Sequence, residues 1–166
     1  MAERKPKSVK DSQVIMIELV LPNDTNILNN LLGGRLMHWM DIATAMAAAK
    51  HCNNIAVTAA VDNLAFHTPI RLGNIVTLKA SVNRAFNTSM EVGVKVIAED
   101  FETGEKIHSN SAYFTFVSVD KKTGKRIIVP QVIPETEEEQ RRFDGALVRR
   151  NRRMDLKREN TVKGVE

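Results

Sequence analysis

The 166-residue chain has one cysteine, Cys52, and so few aromatic residues that tryptophan and tyrosine occur once each. A lone cysteine excludes an internal disulfide framework and leaves no cysteine cluster to hold a metal. His38, His51 and His108 have no metal-ligand spacing, so no metal site is expected. No apolar run approaches the roughly 20 residues of a membrane helix. The start, Met1-Ala2-Glu3-Arg4-Lys5, lacks the apolar core of a secretory signal. A cytoplasmic protein without a membrane anchor is the expectation. At this length the chain forms one domain with a sizeable core.

Proline and glycine are absent between Arg35 and Lys50, where Ala, Leu and Met dominate. That stretch predicts a long helix. Gly33 and Gly34 open it, and Asn53-Asn54 stop it after the cations Lys50 and His51, which suit the negative end of the helix dipole. Leu36, Trp39, Met40, Ala43, Met46 and Ala47 share one face at helical period, and the other face is hardly more polar. Such a helix is expected to be buried on nearly all sides, with Met37, Met40 and Met46 in the core. Asp41 stands within it. A carboxylate in such surroundings is costly unless paired, hydrogen-bonded or used in chemistry.

Beyond the helix the hydrophobic period becomes two. Residues 55–66, 75–86, 89–100 and 106–120 read as long strands, and 13–20 as an earlier one. In the last strand Phe114 and Phe116 face one way, Tyr113 and Thr115 the other. Glycine at 104 suits a hairpin turn. One long helix and one antiparallel sheet make an α+β domain, the sheet's apolar face covering the helix. Strands this long must curl around a helix of about 25 Å. Sheet edges left open within one chain predict oligomerisation through an edge. Residues 1–11 are expected to be a flexible N-terminus, 12–130 the domain, and 131–166 a charged, partly helical extension.

The net charge of +4 is unevenly spread: eight Arg or Lys against two Asp lie between Arg141 and Arg158, just after the acidic run from Glu135 to Glu139. The plain reading is a solvated tail pairing its own charges. The sharper one is a basic surface for a phosphate-bearing ligand or nucleic acid. Phe143 is the only aromatic residue in that block, which argues against a single-strand nucleic-acid platform.

The motifs form an ordered set: Asn30-x-x-Gly33-Gly34, Met40-Asp41, Lys50-His51-Cys52, Val57-Thr58-x-x-Val61-Asp62 and Pro69-Ile70-Arg71-x-Gly73. It continues through Thr88-Ser89-Met90-Glu91-Val92 and ends at Ala112-Tyr113-Phe114-Thr115-Phe116-Val117. Over 21–120 this set resembles the hotdog-fold acyl-CoA thioesterases of the cytosolic (brain-type) acyl-CoA hydrolase family. The resemblance implies a hotdog fold, in which a curled antiparallel sheet wraps the central helix, with the charged C-terminal tail in addition. It implies hydrolysis of acyl-CoA to free coenzyme A and a carboxylic acid at the interface of a hotdog dimer, with dimers often grouped as a trimer of dimers, a hexamer.

By motif position the resemblance makes Asn30 and Asp41 catalytic, facing each other from paired subunits, with Gly34 at the helix start. Amides at Gly33, Gly34 and the helix N-terminus could anchor the thioester oxygen. Asp41 would activate water or attack to give an anhydride, and Asn30 would hold the water or the carbonyl oxygen. Gly33 and Thr58 are expected to contact substrate. Arg84, Asn87, Thr88 and Ser89 are expected near the coenzyme A phosphates, with Arg71 or the basic tail as substitutes. Asp62 and His67 are further polar residues, for which a strand-end or turn role competes. No cofactor is expected, coenzyme A being part of substrate and product, and neither nucleic acid nor membrane is expected as a partner. The alternative is a non-catalytic acyl-CoA-binding sensor on the same fold. A hotdog hydratase would want an Asp/His pair for which no motif appears.

Overall fold

The computed structural model describes residues 5–162 apart from 63 and 67; His67, weighed above as a polar residue, lies outside them. The helix-forming run becomes α1 (Gly33–Cys52), with the two glycines as its first turn and Asn53 in the left-handed conformation at its end, φ 48°. The alternating stretches become β2 (Val14–Leu19), β3 (Ile55–Asp62), β4 (Ile75–Ala85), β5 (Ser89–Glu99) and β6 (Lys106–Val119), following a short β1 (Lys7–Ser8). These five pair antiparallel in the order β2-β4-β5-β6-β3, so β3 lies at the edge opposite β2. The strand expected over 55–66 ends at Asp62.

Alternation aims one face of the sheet at α1. Val76, Leu78, Ala80 and Val82 of β4, Met90, Val92, Val94 and Val96 of β5, and Phe114 and Phe116 of β6 are buried there. The helix touches all five strands. Pairing shifts at Thr58/Ala60, Val82/Arg84 and Val96/Ile97, and each such bulge sharpens twist and bends its strand. That is how strands too long to lie flat against the helix follow it round.

Two expectations about burial need correction. Met40 is buried, but Met37 and Met46 are 38% and 40% exposed. Met46 lies with Ile42 and Ala49 on an open apolar stripe of α1 and Met37 at the opposite margin of the uncovered half, because the sheet covers only one side of the helix. Residues 1–11 were expected to be flexible. From Lys7 on they are structured: β1 pairs parallel with β7 (Val132–Ile133), and Val9 and Ser12 of the following 3-10 turn are buried. The physical reason is hydrophobic burial of Val9 together with the Ser12 hydroxyl, which accepts the Val82 backbone N–H at 2.9 Å.

The C-terminal extension forms β7 and α2 (Glu137–Val162), and α2 lies on the outer face of the sheet. Its arginines hold it there. Arg149 makes two hydrogen bonds to the fully buried Glu91 carboxylate, 2.7 and 3.0 Å, and stacks 3.6 Å over the Tyr113 ring. Arg153 pairs with Asp62, and Arg150 lies 4.4 Å over Phe86. Arg141 and Arg142 share Glu138 on the helix surface. Gly93 belongs to this contact: a methyl group there would meet the Asn83 amide at 2.8 Å, and that amide donates to Glu91. At the end of α1, buried His51 donates through Nε2 to the Pro130 carbonyl at 2.8 Å, tying the helix to the chain that leads to α2. Burial holds the His51 pKa below its ordinary value.

Candidate active site

Asp41, in the third turn of α1, is half-buried beside the edge strand β3. The Thr58 hydroxyl donates to Asp41 Oδ1 at 2.7 Å. Seventeen residues apart in sequence, the two meet because α1 packs on β3 and the β3 bulge falls between Thr58 and Ala60. The other carboxylate oxygen has no hydrogen bond among the described residues. Around the pair, Ile42 and Met46 of α1 and Val57 and Val61 of β3 are exposed. A carboxylate fixed at one oxygen, bordered by apolar surface, can take a proton from a water or attack an electrophile.

Replacing Thr58 by valine keeps the shape and removes the donor. A hydrogen bond to a charged group is worth about 1.5–3 kcal/mol. If its work is to aim Asp41, kcat in the Thr58→Val variant is expected to fall about tenfold or more, with little change in thermal midpoint, because Thr58 is exposed and water replaces the lost bond in both the folded and unfolded chain. Steady-state kinetics alongside a melting curve checks both.

The start of α1 offers donors. Its cap position is Leu32, without a side-chain cap, and the first intrahelical bond runs from Leu36 N to the Leu32 carbonyl. The amides of Gly33, Gly34 and Arg35 therefore have no partner within the helix and stand at the positive end of its dipole. Gly34 is open, with nothing within 4 Å of an added methyl, whereas one on Gly33 would meet the Phe66 ring at 3.2 Å. Gly34 and Asp41 stand about 10 Å apart along the helix at 1.5 Å per residue. One protomer therefore does not bring the two together.

Asn30 pairs with Arg71 through an isolated bridge, and its carbonyl accepts the Asn26 backbone N–H at 2.8 Å. Beside it lies a depression of about 430 Å³ lined by Leu28, Asn29, Asn30, Pro69, Arg71 and Leu72. The loop before it is held by Asp24, whose carboxylate accepts the Leu21 N–H at 3.0 Å and pairs with Arg35 at 2.9 Å. Asn26, in the same loop, is a residue that sequence reading passed over. Its Oδ1 accepts the backbone N–H groups of Leu28 and Asn30, 2.9 and 3.2 Å. Both bonds fix the oxygen inward, so the exposed amide NH₂ points away as a donor with no partner among the described residues. The Asp24-Thr25-Asn26 turn looked like loop punctuation, and nothing local set Asn26 apart from its neighbours.

The β4–β5 turn comes to the same end of the sheet as Thr58. Thr58 is opposite Phe116 and Phe116 opposite Met90, two strand spacings or about 10 Å. Asn87, Thr88 and Ser89 lie there, Asn87 exposed and the others half-buried. Arg84 behind them is engaged with α2: it donates to the Phe143 carbonyl at 3.2 Å and sits 4.0 Å over that ring. Asp62 is turned to α2 as well; burial pushes its carboxyl pKa up, against the lowering by Arg153.

A family model described as thioesterase superfamily matches residues 28–105. A Bacillus subtilis protein described as an uncharacterized acyl-CoA thioester hydrolase is 42% identical over 149 residues, covering 90% of this chain and 86% of that one. An acyl-CoA hydrolase from Staphylococcus aureus, solved with butyryl coenzyme A, coenzyme A and coenzyme A disulfide, superposes with a TM-score of 0.87 at 34% identity. The match covers 95% of each chain. An apo-hexameric acyl-CoA thioesterase superposes at 0.88 with 37% identity, covering 92% of this chain and 97% of that one. The S. aureus hydrolase was also solved as alanine mutants of an asparagine, an aspartate and a threonine; the asparagine precedes the aspartate by 15 residues and the threonine follows it by 17. Counted from Asp41, the same intervals fall on Asn26 and Thr58.

Proposed function

The chain belongs to the thioesterase superfamily, and from that premise we propose that it is an acyl-CoA thioesterase, hydrolysing acyl-CoA to free coenzyme A and a carboxylic acid. The observation that carries the reading is the 2.7 Å bond from Thr58 to Asp41 on an open apolar face. Asp41 is the reacting carboxylate, either as general base toward water or as nucleophile giving a mixed anhydride that water then opens. The thioester oxygen takes its negative charge beside the amides of Gly33 and Gly34, and the coenzyme A thiolate leaves with the water proton. The pantetheine arm passes Thr58, and the phosphates lie over the turn of Asn87, Thr88 and Ser89, with Arg84 behind it. No cofactor takes part in this scheme, and coenzyme A enters only as part of substrate and product.

The site is completed by a second copy. The 10 Å between Gly34 and Asp41 along one helix is too far for a single reacting carbon, which needs both within about 3 Å. Antiparallel pairing of two β3 edges covers Ile42, Met46, Val57 and Val61, and sets one protomer's helix start beside the other's Asp41. Three such dimers give a hexamer. Among the described residues no helix is long and apolar enough to cross a membrane, and a cytoplasmic location accords with the reading.

Free-thiol release from a panel of short to long acyl-CoAs tests the activity and finds the preferred chain. Turnover on any member supports the hydrolase; tight acyl-CoA binding with no turnover would leave a sensor. Within the hydrolase reading two asparagines compete for the partner role. Asn30 rests on its place before the glycines, Asn26 on the interval to Asp41 and on its outward amide. The Asn26→Ala variant is expected to lose about 100-fold in kcat, the size of losing one oxyanion donor, and Asn30→Ala less than tenfold. The reverse order would return the role to Asn30.

A further inference from the structure

We propose that the outer face of the sheet carries a second binding site, for a compact oligophosphate anion, separate from the Asp41 site. Between the sheet and the N-terminal half of α2 lies a cleft of about 530 Å³, within the range of small-molecule sites. None of the residues around Asp41, Thr58 or Gly34 lines it.

Three observations point to an anion. Lys79 of β4 and Lys95 of β5 are direct cross-strand partners with side chains on the outer face. Like charges directly opposite destabilise a sheet, and neither lysine has a salt bridge or hydrogen bond among the described residues. Across the cleft, Arg141 and Arg142 share the single carboxylate of Glu138, so four cations face one anion. Ser81, on the cleft floor, adds a hydroxyl that makes no hydrogen bond among the described residues and is open to the cleft. Two unpaired ammonium groups, two half-neutralised guanidinium groups and a free hydroxyl converge as donors for closely spaced phosphate oxygens. The wall that carries the arginines is fixed by the Arg149–Glu91 contact, so the cleft is part of the folded chain.

The chemistry admits two sources: the phosphate end of a coenzyme A molecule, or a free oligophosphate. Inorganic tripolyphosphate is the probe. Titration calorimetry on the full chain is expected to show binding that weakens with added salt. The Lys79→Gln/Lys95→Gln variant is expected to bind at least tenfold more weakly, with its melting midpoint and oligomeric state unchanged. A charge-matched control, Lys121→Gln/Lys122→Gln on an exposed turn, keeps wild-type affinity. No binding by wild type at 10 mM ligand, or equal weakening in both variants, overturns the proposal. Acyl-CoA kinetics of the same variant distinguish the source: a raised KM with tripolyphosphate as competitor assigns the site to coenzyme A, and an unchanged KM to a free oligophosphate. The binding measurement does not use turnover, so it stands or fails independently of the thioesterase reading.

Discussion

Replacing Asp41 by asparagine is expected to lower kcat by about 10²–10⁴, the usual span for loss of a positioned general base. Asparagine keeps the size and can still accept the Thr58 hydroxyl through its own oxygen, so the local geometry survives. What it loses is the charge that accepts the water proton, or that attacks the thioester. Substrate affinity is expected to change little, because the phosphates and pantetheine are held elsewhere. The measurement is thiol release by wild type and variant across the same acyl-CoA panel, with gel filtration to show that the assembly persists. Equal turnover by the two proteins would remove Asp41 from the chemistry. A nucleophilic role and a base role both predict the loss; only trapping of an acylated enzyme would separate them.

The second large effect is on stability. Arg149 is the counter-charge of Glu91, whose side chain is completely buried. Truncating it to methionine in the Arg149→Met variant keeps much of the packing on Tyr113 but leaves a carboxylate with the Asn83 amide as its one remaining hydrogen-bond partner among the described residues. Breaking a buried pair from one side costs about 3–5 kcal/mol. For a chain of this size that lowers the melting midpoint by roughly 10 °C, at about 2–4 °C per kcal/mol. Adding Glu91→Gln removes the stranded charge and is expected to restore part of the loss, since a neutral amide is cheaper to bury than an ion. A double variant no more stable than Arg149→Met would mean that the pair is not coupled and that α2 is held by its other contacts, the Arg153–Asp62 pair and the aromatic stacks.

Much of this protein is legible in its residues one stretch at a time. The run without proline or glycine after Gly34, the period-two alternation from Ile75 to Val119 and the outward Tyr113 all follow from local backbone preference and burial. So did the singling out of Asp41, because a carboxylate in a small-residue helix has few inexpensive surroundings. Thr58 was legible only as part of a motif; that its hydroxyl reaches Asp41 depends on the β3 bulge and on helix-to-strand packing.

Other features were not written locally. Nothing in the alternation of Ile55–Asp62 tells that this strand skips its sequence neighbour β4 and pairs with β6 at the far edge, because strand order is decided by which distant faces can be buried together. The basic block after Arg141 reads as a tail that pairs its own charges. Only the fold supplies Glu91, Asp62, Tyr113 and Phe86 as its partners. Met37 and Met46 have the right residue type for a core, but the sheet covers only one side of the helix and leaves them open. Asn26 sits in an ordinary turn until its oxygen is spent on two backbone amides and its NH₂ faces outward. The sequence by itself determined the elements and their apolar faces, since those depend on hydrogen bonds and periodicities a few residues long. Tertiary structure alone decided which side chains meet, since a contact between residues far apart is settled by how the whole set of faces packs.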